Sequence, residues 1–271
     1  MTHKSKYTFF DTDMKYHLDS PDENVANKAE FYYKKHAPTA MSSFSLLEYK
    51  GRFLSDLGLL RRKINDSHSL KEVFIRIDNS NIRPAKVMFM QLLNLLEQRD
   101  WKIEPWENTR QELLVHIDAK MAVAWLDINN SVDMLFDELE CTRAQEEPCI
   151  ESGRWNTRIP RCTGDNRHCR IASFLIDYVE QLTNLLDSLI KTDHGDLTNE
   201  LRRFIKYIEK AVGRESPWEI MQCRQIGDLL IGLQCIDSKG LVSSNYKEHE
   251  HLSKGLGYSF HKFPLADSRI K

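Results

Sequence analysis

The sequence predicts an α/β protein, a parallel sheet flanked by helices, assembled from both ends of the chain around a mainly α-helical insertion. Three observations predict it. Short β-prone runs alternate with helical periodicity over the first sixty residues, and the alternation returns after about residue 216. Between these ends the apolar residues recur at helical spacing instead. Strand–helix alternation is the pattern of a parallel sheet covered by helices. The expected division is therefore 1–64 with 216–271 as one discontinuous domain, and 65–215 as the helical insertion.

Tyr7 to Phe10 is a short apolar run that stops at Asp11-Thr-Asp13. Ser20-Pro-Asp-Glu then gives an N-cap, a first-turn proline and early acids. The helix it starts is expected to reach about Lys35, burying Val25, Ala26, Ala29, Phe31 and Tyr32. Pro38-Thr-Ala-Met-Ser reads as a second strand. Ser42 or Ser43 can cap the helix that follows through Leu46, Leu47, Phe53, Leu57 and Leu60.

In the middle, Lys86–Arg99, Thr109–Leu126, Ile171–Lys191 and Leu197–Val212 carry helical periodicity. Val73-Phe-Ile-Arg-Ile77 reads as an extra strand, and Glu146 to Arg170 as a long loop. Near the C-terminus, Pro217 to Gln234 reads as a helix and Asp237-Ser-Lys-Gly240 as a turn. Leu241 to Ser244 is a short strand, Tyr246 to Leu256 a helix closed by Gly257, and Tyr258 to Phe263 a last strand.

The 271 residues are 41% hydrophobic, enough for a sizeable core. Thirty-eight basic and 40 acidic residues leave a formal net charge of -2, so any attraction for nucleic acid must come from a local patch. No apolar run approaches a membrane span and no secretory signal opens the chain. Six cysteines are too sparse for a secreted disulfide scaffold, and a cytoplasmic protein with reduced thiols is expected.

The acids suggest chemistry. Asp11 and Asp13 end the first strand, at the sheet edge where open α/β folds bind ligands. Their spacing lets both face one side if the chain stays extended there. Glu48 lies one turn into the helix after the second strand. Asp228 lies on the helix feeding the Leu241 strand, among Ile226, Leu229, Leu230 and Ile231, and Asn245 follows that strand. Several elements thus deliver oxygen ligands to one rim, as Mg²⁺ or Mn²⁺ requires. Taken singly, Asp13, Glu48 and Asp228 are solvated or capping acids more often than ligands.

The run Phe9-Phe-Asp11-Thr-Asp13 resembles the opening strand of PIN-domain nucleases. Thr39-Ala-Met-Ser-Ser-Phe-Ser-Leu-Leu-Glu48 is similar to that family's second strand and glutamate-bearing helix. Gly227-Asp228-Leu-Leu-Ile, Gly240-Leu-Val-Ser-Ser-Asn245 and Leu256-Gly-Tyr-Ser-Phe resemble its ending. The match covers about 115 residues at the two ends. The resemblance implies a metal-dependent endonuclease, mostly acting on RNA, with Asp11, Glu48 and Asp228 as the catalytic core ligands. It makes Asn245 an outer ligand where many members carry aspartate, and lets Asp13 add charge. The 180 residues from Glu48 to Asp228 exceed the spacing in compact members.

The segment from Arg154 to Arg170 holds Arg154, Trp155, Arg158, Arg161, Arg167 and Arg170. It is the candidate nucleic-acid grip, with arginines on phosphates and Trp155 on a base. Pairing of its arginines with Glu146, Glu147 and Glu151 is the equal alternative. Cys141, Cys149, Cys162, His168 and Cys169 could hold a structural Zn²⁺, but their gaps of seven, twelve and six residues favour unligated thiols. Cys223 and Cys235 read as small core residues. His249 and His251 flank Glu250 near Asn245 and could approach the site, but they are expected to be solvated on the short helix.

The expectation is a Mg²⁺- or Mn²⁺-dependent ribonuclease serving as toxin, defence effector or processing enzyme, with DNA as the other substrate. A protein partner or homo-oligomer is compatible with it. The alternative is a non-catalytic PIN-like scaffold that binds a protein or RNA partner through its helical insertion.

Overall fold

The computed structural model describes residues 4–18, 20, 23–78, 89–90, 92–94, 96, 105–130, 132–141, 149–151, 154–156, 170–192, 197–212 and 226–264. The chain forms two compact units. The first comprises Met1–Glu48, Val132–Glu146 and Pro160–Lys271; the second comprises Tyr49–Ser131 and Glu147–Ile159.

The first unit is built on a five-stranded, all-parallel sheet. Its strands are β1 (Thr8–Phe10), β2 (Thr39–Ser42), β3 (Met134–Phe136), β6 (Gly240–Ser243) and β7 (Phe260–Lys262), in the spatial order β3-β2-β1-β6-β7. β1 is central, with Phe9 opposite Ala40 on one side and Leu241 on the other. All four residues of β2 and of β6 are buried, as expected for a parallel sheet covered on both faces. The strand order reverses between β1 and β6, which makes the crevice beyond their carboxyl ends the natural ligand site of the fold.

Side chains alternate across the sheet. Phe10, Met41 and Val242 point to one face and pack with Met14 of α1 (Thr12–Leu18), Ala29 of α2 (Glu23–Lys35) and Phe263. Phe9 faces the other way and stacks on Phe136, with 5.1 Å between ring centroids. In α2 only Ala29 of the five expected residues is buried, and Phe31 is 60% exposed. Ala29 seats the helix together with the partly buried Tyr32 and Tyr33, which pack on Phe263 and Phe10.

β3 lies within the span 65–215 and was not anticipated as a strand. Asp133 ties it to β2, accepting hydrogen bonds from the Thr39 amide at 2.6 Å and hydroxyl at 3.1 Å. The helices α7 (Ile171–Asp177), α8 (Val179–Ile190) and α9 (Asn199–Val212) of the same span also belong to the first unit. The expected Ile171–Lys191 helix is split at Tyr178 into α7 and α8. α10 (Gly227–Gln234) is the described part of the helix expected from Pro217. α11 (Tyr246–Leu256) ends at Gly257, whose φ of 81° is the left-handed cap that glycine tolerates.

The helix α3 (Ser43–Tyr49) leads into the second unit through a π-helical turn at Lys50–Leu54, followed by α4 (Ser55–Asn65). α4 packs on α6 (Trp106–Asn130), where Arg61 and Asp118 form a two-pronged ion pair at 2.7 and 3.1 Å. The Trp106 indole N–H donates to the Ser67 carbonyl at 2.9 Å. Val73–Ile77, expected as a strand, lies in the helix α5 (Leu70–Asp78). Val73 and Ile77, four apart, are buried while Ile75 is 50% exposed, which is helical rather than strand periodicity. Within the expected Glu146–Arg170 loop, β4 (Cys149–Glu151) and β5 (Arg154–Asn156) pair as an antiparallel ribbon. Among the described residues, no helix is long and apolar enough to cross a membrane.

Candidate functional site

Asp11 is the first residue beyond β1, and its backbone N–H still donates to Val242 of β6 at 3.1 Å. This bond locks the side chain at the crevice between the two strands. The residue is 4% exposed. Oδ1 accepts the Thr12 N–H at 2.6 Å, while Oδ2 accepts the Ser243 hydroxyl at 2.8 Å and lies 3.1 Å from His249 Nε2. Burial works to raise the Asp11 carboxyl. The hydrogen bond and charge of His249, with Ser243 and the Thr12 N–H, outweigh it and hold the group below its ordinary range.

Asp13 reaches the same place by a different route from the one its spacing suggested. The strand ends at Phe10, and Asp13 sits in the first turn of α1. Its Oδ2 accepts the Ser244 N–H at 2.6 Å, the Ser243 hydroxyl at 3.1 Å and the Ser244 hydroxyl. The Ser243 proton is thus shared between Asp11 and Asp13. Asp13 Oδ1 is shut off from solvent and has no hydrogen-bond partner among the described residues. Burial and the neighbouring Asp11 charge push Asp13 up to about 6.

Asp228 is the second residue of α10, directly after a glycine at which a side chain would be crowded. A Cβ on Gly227 would stand 2.6 Å from Glu48 Oε1 and 2.9 Å from Phe44 Cε1. Asn245 donates from Nδ2 to Asp228 Oδ2 at 2.7 Å, and Asp228 Oδ1 is 4.0 Å from His249 Nε2. Asn245 therefore orients a carboxylate through its amide nitrogen. Burial, Asp11, Glu200 and Glu248 raise Asp228 to about 7, against the opposing charge of His249.

Glu48, near the end of α3, receives the Thr12 hydroxyl at Oε2, 3.0 Å away. Burial, Asp11 and Asp228 together raise it to about 8, so it feels both acids across the crevice. Asp11, Asp228 and His249 each bring one ligand atom within 4.8 Å of the others. Glu48 stands beside this trio.

The expectation that His249 is solvated is corrected: the residue is completely buried. It shares a face of α11 with Leu252 and Leu256, at spacings of three and seven, and that apolar stripe carries the imidazole inward. Tyr258 Oη lies 3.2 Å from Nδ1 and fixes the ring. Burial alone would lower His249, but the Asp11 hydrogen bond and the charges of Asp228, Asp11 and Asp13 raise it to about 9. Glu200 of α9 and Glu248 of α11 also act on the site through their charge, and neither was singled out from the sequence.

Of the expected nucleic-acid grip, Arg158, Arg161 and Arg167 lie outside the described residues. Arg154 and Trp155 fall on β5, described in its backbone alone. Arg170 is exposed and paired with Glu140 at 3.2 Å. Cys162, His168, Cys169 and Cys223 also lie outside the described residues, while Cys141 and Cys235 are free thiols.

Compared with protein-family models, with curated proteins and with solved structures, the chain matches none.

Proposed function

We propose that this protein is a metal-dependent endonuclease of the PIN type, hydrolysing phosphodiester bonds of RNA. One observation carries the reading. Asp11, Asp228 and His249 converge within 4.8 Å at the crevice where the strand order reverses, with Glu48 coupled to both acids. The donor set suits a small divalent cation, because carboxylate oxygens predominate and the buried Asp13 Oδ1 has no hydrogen-bond partner among the described residues. Mg²⁺ or Mn²⁺ would be held by Asp11 and Asp228. When bound, such an ion supplies Lewis acidity and an activated water.

The rest is the work of the chain. The Thr12 N–H and Ser243 hydroxyl fix Asp11, and Asn245 turns Asp228 so that Oδ1 faces the centre. The Thr12 hydroxyl holds Glu48 in place. At neutral pH, and without a cation, Glu48 keeps its proton. A group poised in this way can take or give a proton near a reacting phosphate.

The test is cleavage of single-stranded and hairpin RNA, with duplex DNA alongside, in Mn²⁺ and in Mg²⁺. Cation-dependent cutting that disappears in Asp11→Asn and Asp228→Asn is the expected result. Cutting that survives both substitutions, or no cutting of any substrate, removes the nuclease reading.

A second reading is favoured by His249. Its imidazole already supplies positive charge to Asp11, so the carboxylates are partly neutralised without a cation. On this reading the protein is a non-catalytic scaffold, and Mn²⁺ leaves its thermal stability unchanged.

A further inference from the structure

An imidazole at the centre of an oxygen-rich rim changes what the rim selects. The ring of His249 is held from behind, with Nδ1 3.2 Å from the Tyr258 hydroxyl and Nε2 turned towards the acids. This is how metal-binding histidines are commonly held: one nitrogen bonded to a neighbouring group fixes the ring, and the other faces the ion. Donor atoms sharing one small cation stand roughly 3 to 3.5 Å apart, from metal–ligand distances of about 2.1 Å. The His249–Asp11 pair at 3.1 Å already meets this, and the His249–Asp228 pair at 4.0 Å is about half an ångström wider. Asp13 borders the cluster, sharing the Ser243 hydroxyl with Asp11, and its Oδ1 is enclosed and unbonded among the described residues.

We propose that His249 is an imidazole ligand of the cation, supported by Tyr258, and that the site takes first-row transition cations in preference to Mg²⁺. This rests on the metal-dependent reading above and sharpens it. Mg²⁺ favours oxygen donors and gives up its water reluctantly, whereas imidazole suits the first-row ions, whose affinities rise from Mn²⁺ through Co²⁺. Two carboxylates and one imidazole, which must give up its Nε2 proton to ligate, form a mixed donor set that makes this distinction.

The experiment is done first on the unaltered protein after chelation and dialysis. Calorimetric titration with Mg²⁺, Mn²⁺ and Co²⁺ is expected to give affinities rising in that order, with Co²⁺ at least tenfold tighter than Mg²⁺. Pulsed electron paramagnetic resonance of the Mn²⁺ complex is expected to show coupling to a directly bound nitrogen. His249→Gln is expected to lose that coupling and compress the order. Tyr258→Phe is expected to weaken Co²⁺ binding about tenfold, the usual cost of losing a supporting partner. The spectroscopic result needs no variant, so a poorly folding His249→Gln leaves the proposal open to refutation.

Cation binding that depends on Asp11, with no nitrogen coupling and with Mg²⁺ as tight as Co²⁺, overturns the role of His249 and leaves the metal site standing. Absence of binding by all three ions overturns the metal site itself and the nuclease reading with it.

Discussion

His249 Nε2 lies 3.1 Å from Asp11 Oδ2, although 238 positions separate the two residues in the chain. This contact joins the end of the central strand to the helix after β6, at the point where both candidate roles of the cluster meet. Four consequences can be measured.

The first concerns pH in chelated protein. His249, Glu48, Asp228 and Asp13 all have folded-state values above their ordinary ones, at about 9, 8, 7 and 6. Each binds its proton more tightly when folded, so each stabilises the fold at low pH and loses that contribution as pH rises. The window runs from about pH 4, where unfolded carboxyls titrate, to about 9, where folded His249 does. Asp11 is lowered and works in the opposite sense, but only on acidification. Urea midpoints in EDTA are expected to fall between pH 5 and 9, and Mn²⁺ to flatten the decline. A rising midpoint would contradict the charge balance described.

The second concerns Gly227. Alanine within a helix ordinarily gains about 0.5–1 kcal/mol over glycine. Here its Cβ would meet Glu48 Oε1 at 2.6 Å and Phe44 at 2.9 Å, so the crowding decides the sign. Gly227→Ala is expected to destabilise by about 1–3 kcal/mol, the usual cost of overpacking, and to reduce any cation-dependent activity by displacing Glu48. Denaturant titration checks the first effect and the RNA assay the second.

The third concerns Ser243. Its hydroxyl lies between Asp11 and Asp13 and accepts the Asn245 N–H at 2.9 Å. Ser243→Ala leaves these buried groups without that partner, and a loss of about 1–3 kcal/mol is expected in chelated protein. Added Mn²⁺ should restore part of the loss by screening the two carboxylates. A Tm shift measured with and without the ion tests this.

The fourth concerns Asn245, whose amide donates to Asp228. Asn245→Asp replaces that donor with a like charge, which raises the repulsion in the rim. Tm is expected to fall in EDTA and to recover with Mn²⁺ by more than the unaltered protein gains. Equal gains in the two proteins would show that the substituted carboxylate does not sense the cation.

The sheet was legible where pattern and punctuation agree. β1 ends before Asp11, β2 follows Pro38, and α11 has both a polar start at Asn245 and a glycine stop at Gly257. β3 escaped because its three residues, with Leu135 39% exposed, lie in a span otherwise dominated by helical periodicity. α5 was misread from its β-branched run, yet its start signal was present. Ser69 Oγ accepts the Glu72 N–H at 3.2 Å, and Glu72 Oε2 accepts the His68 N–H at 2.8 Å. That Ser-x-x-Glu spacing is a helix N-terminal signature and outweighs the propensity of Val73 and Ile75.

At the site, motif order brought attention to Asp11, Asp13, Glu48, Asp228 and Asn245, all of which line the crevice or bond to what lines it. His249 was read as solvated, with approach to the site as the lesser alternative, although its spacing to Leu252 and Leu256 places it on the buried side of α11. The polar neighbours Glu248, Glu250 and His251 masked that stripe. Glu200 had no comparable signal, since its approach to the crevice depends on how α9 packs in the first unit.

The central position of β1 also has a consequence in time. During synthesis β1 emerges more than 220 residues before its β6 neighbour, Ser243 and His249. One edge of β1 must wait that long for its hydrogen-bonding partner, and such distant pairings are slow to form. Asp11 cannot meet Asp228 or His249 in any shorter nascent chain. The arrangement delays assembly of the Asp11–Asp228–His249 cluster until α11 has been made, so a chain interrupted before that helix lacks the cluster by geometry alone.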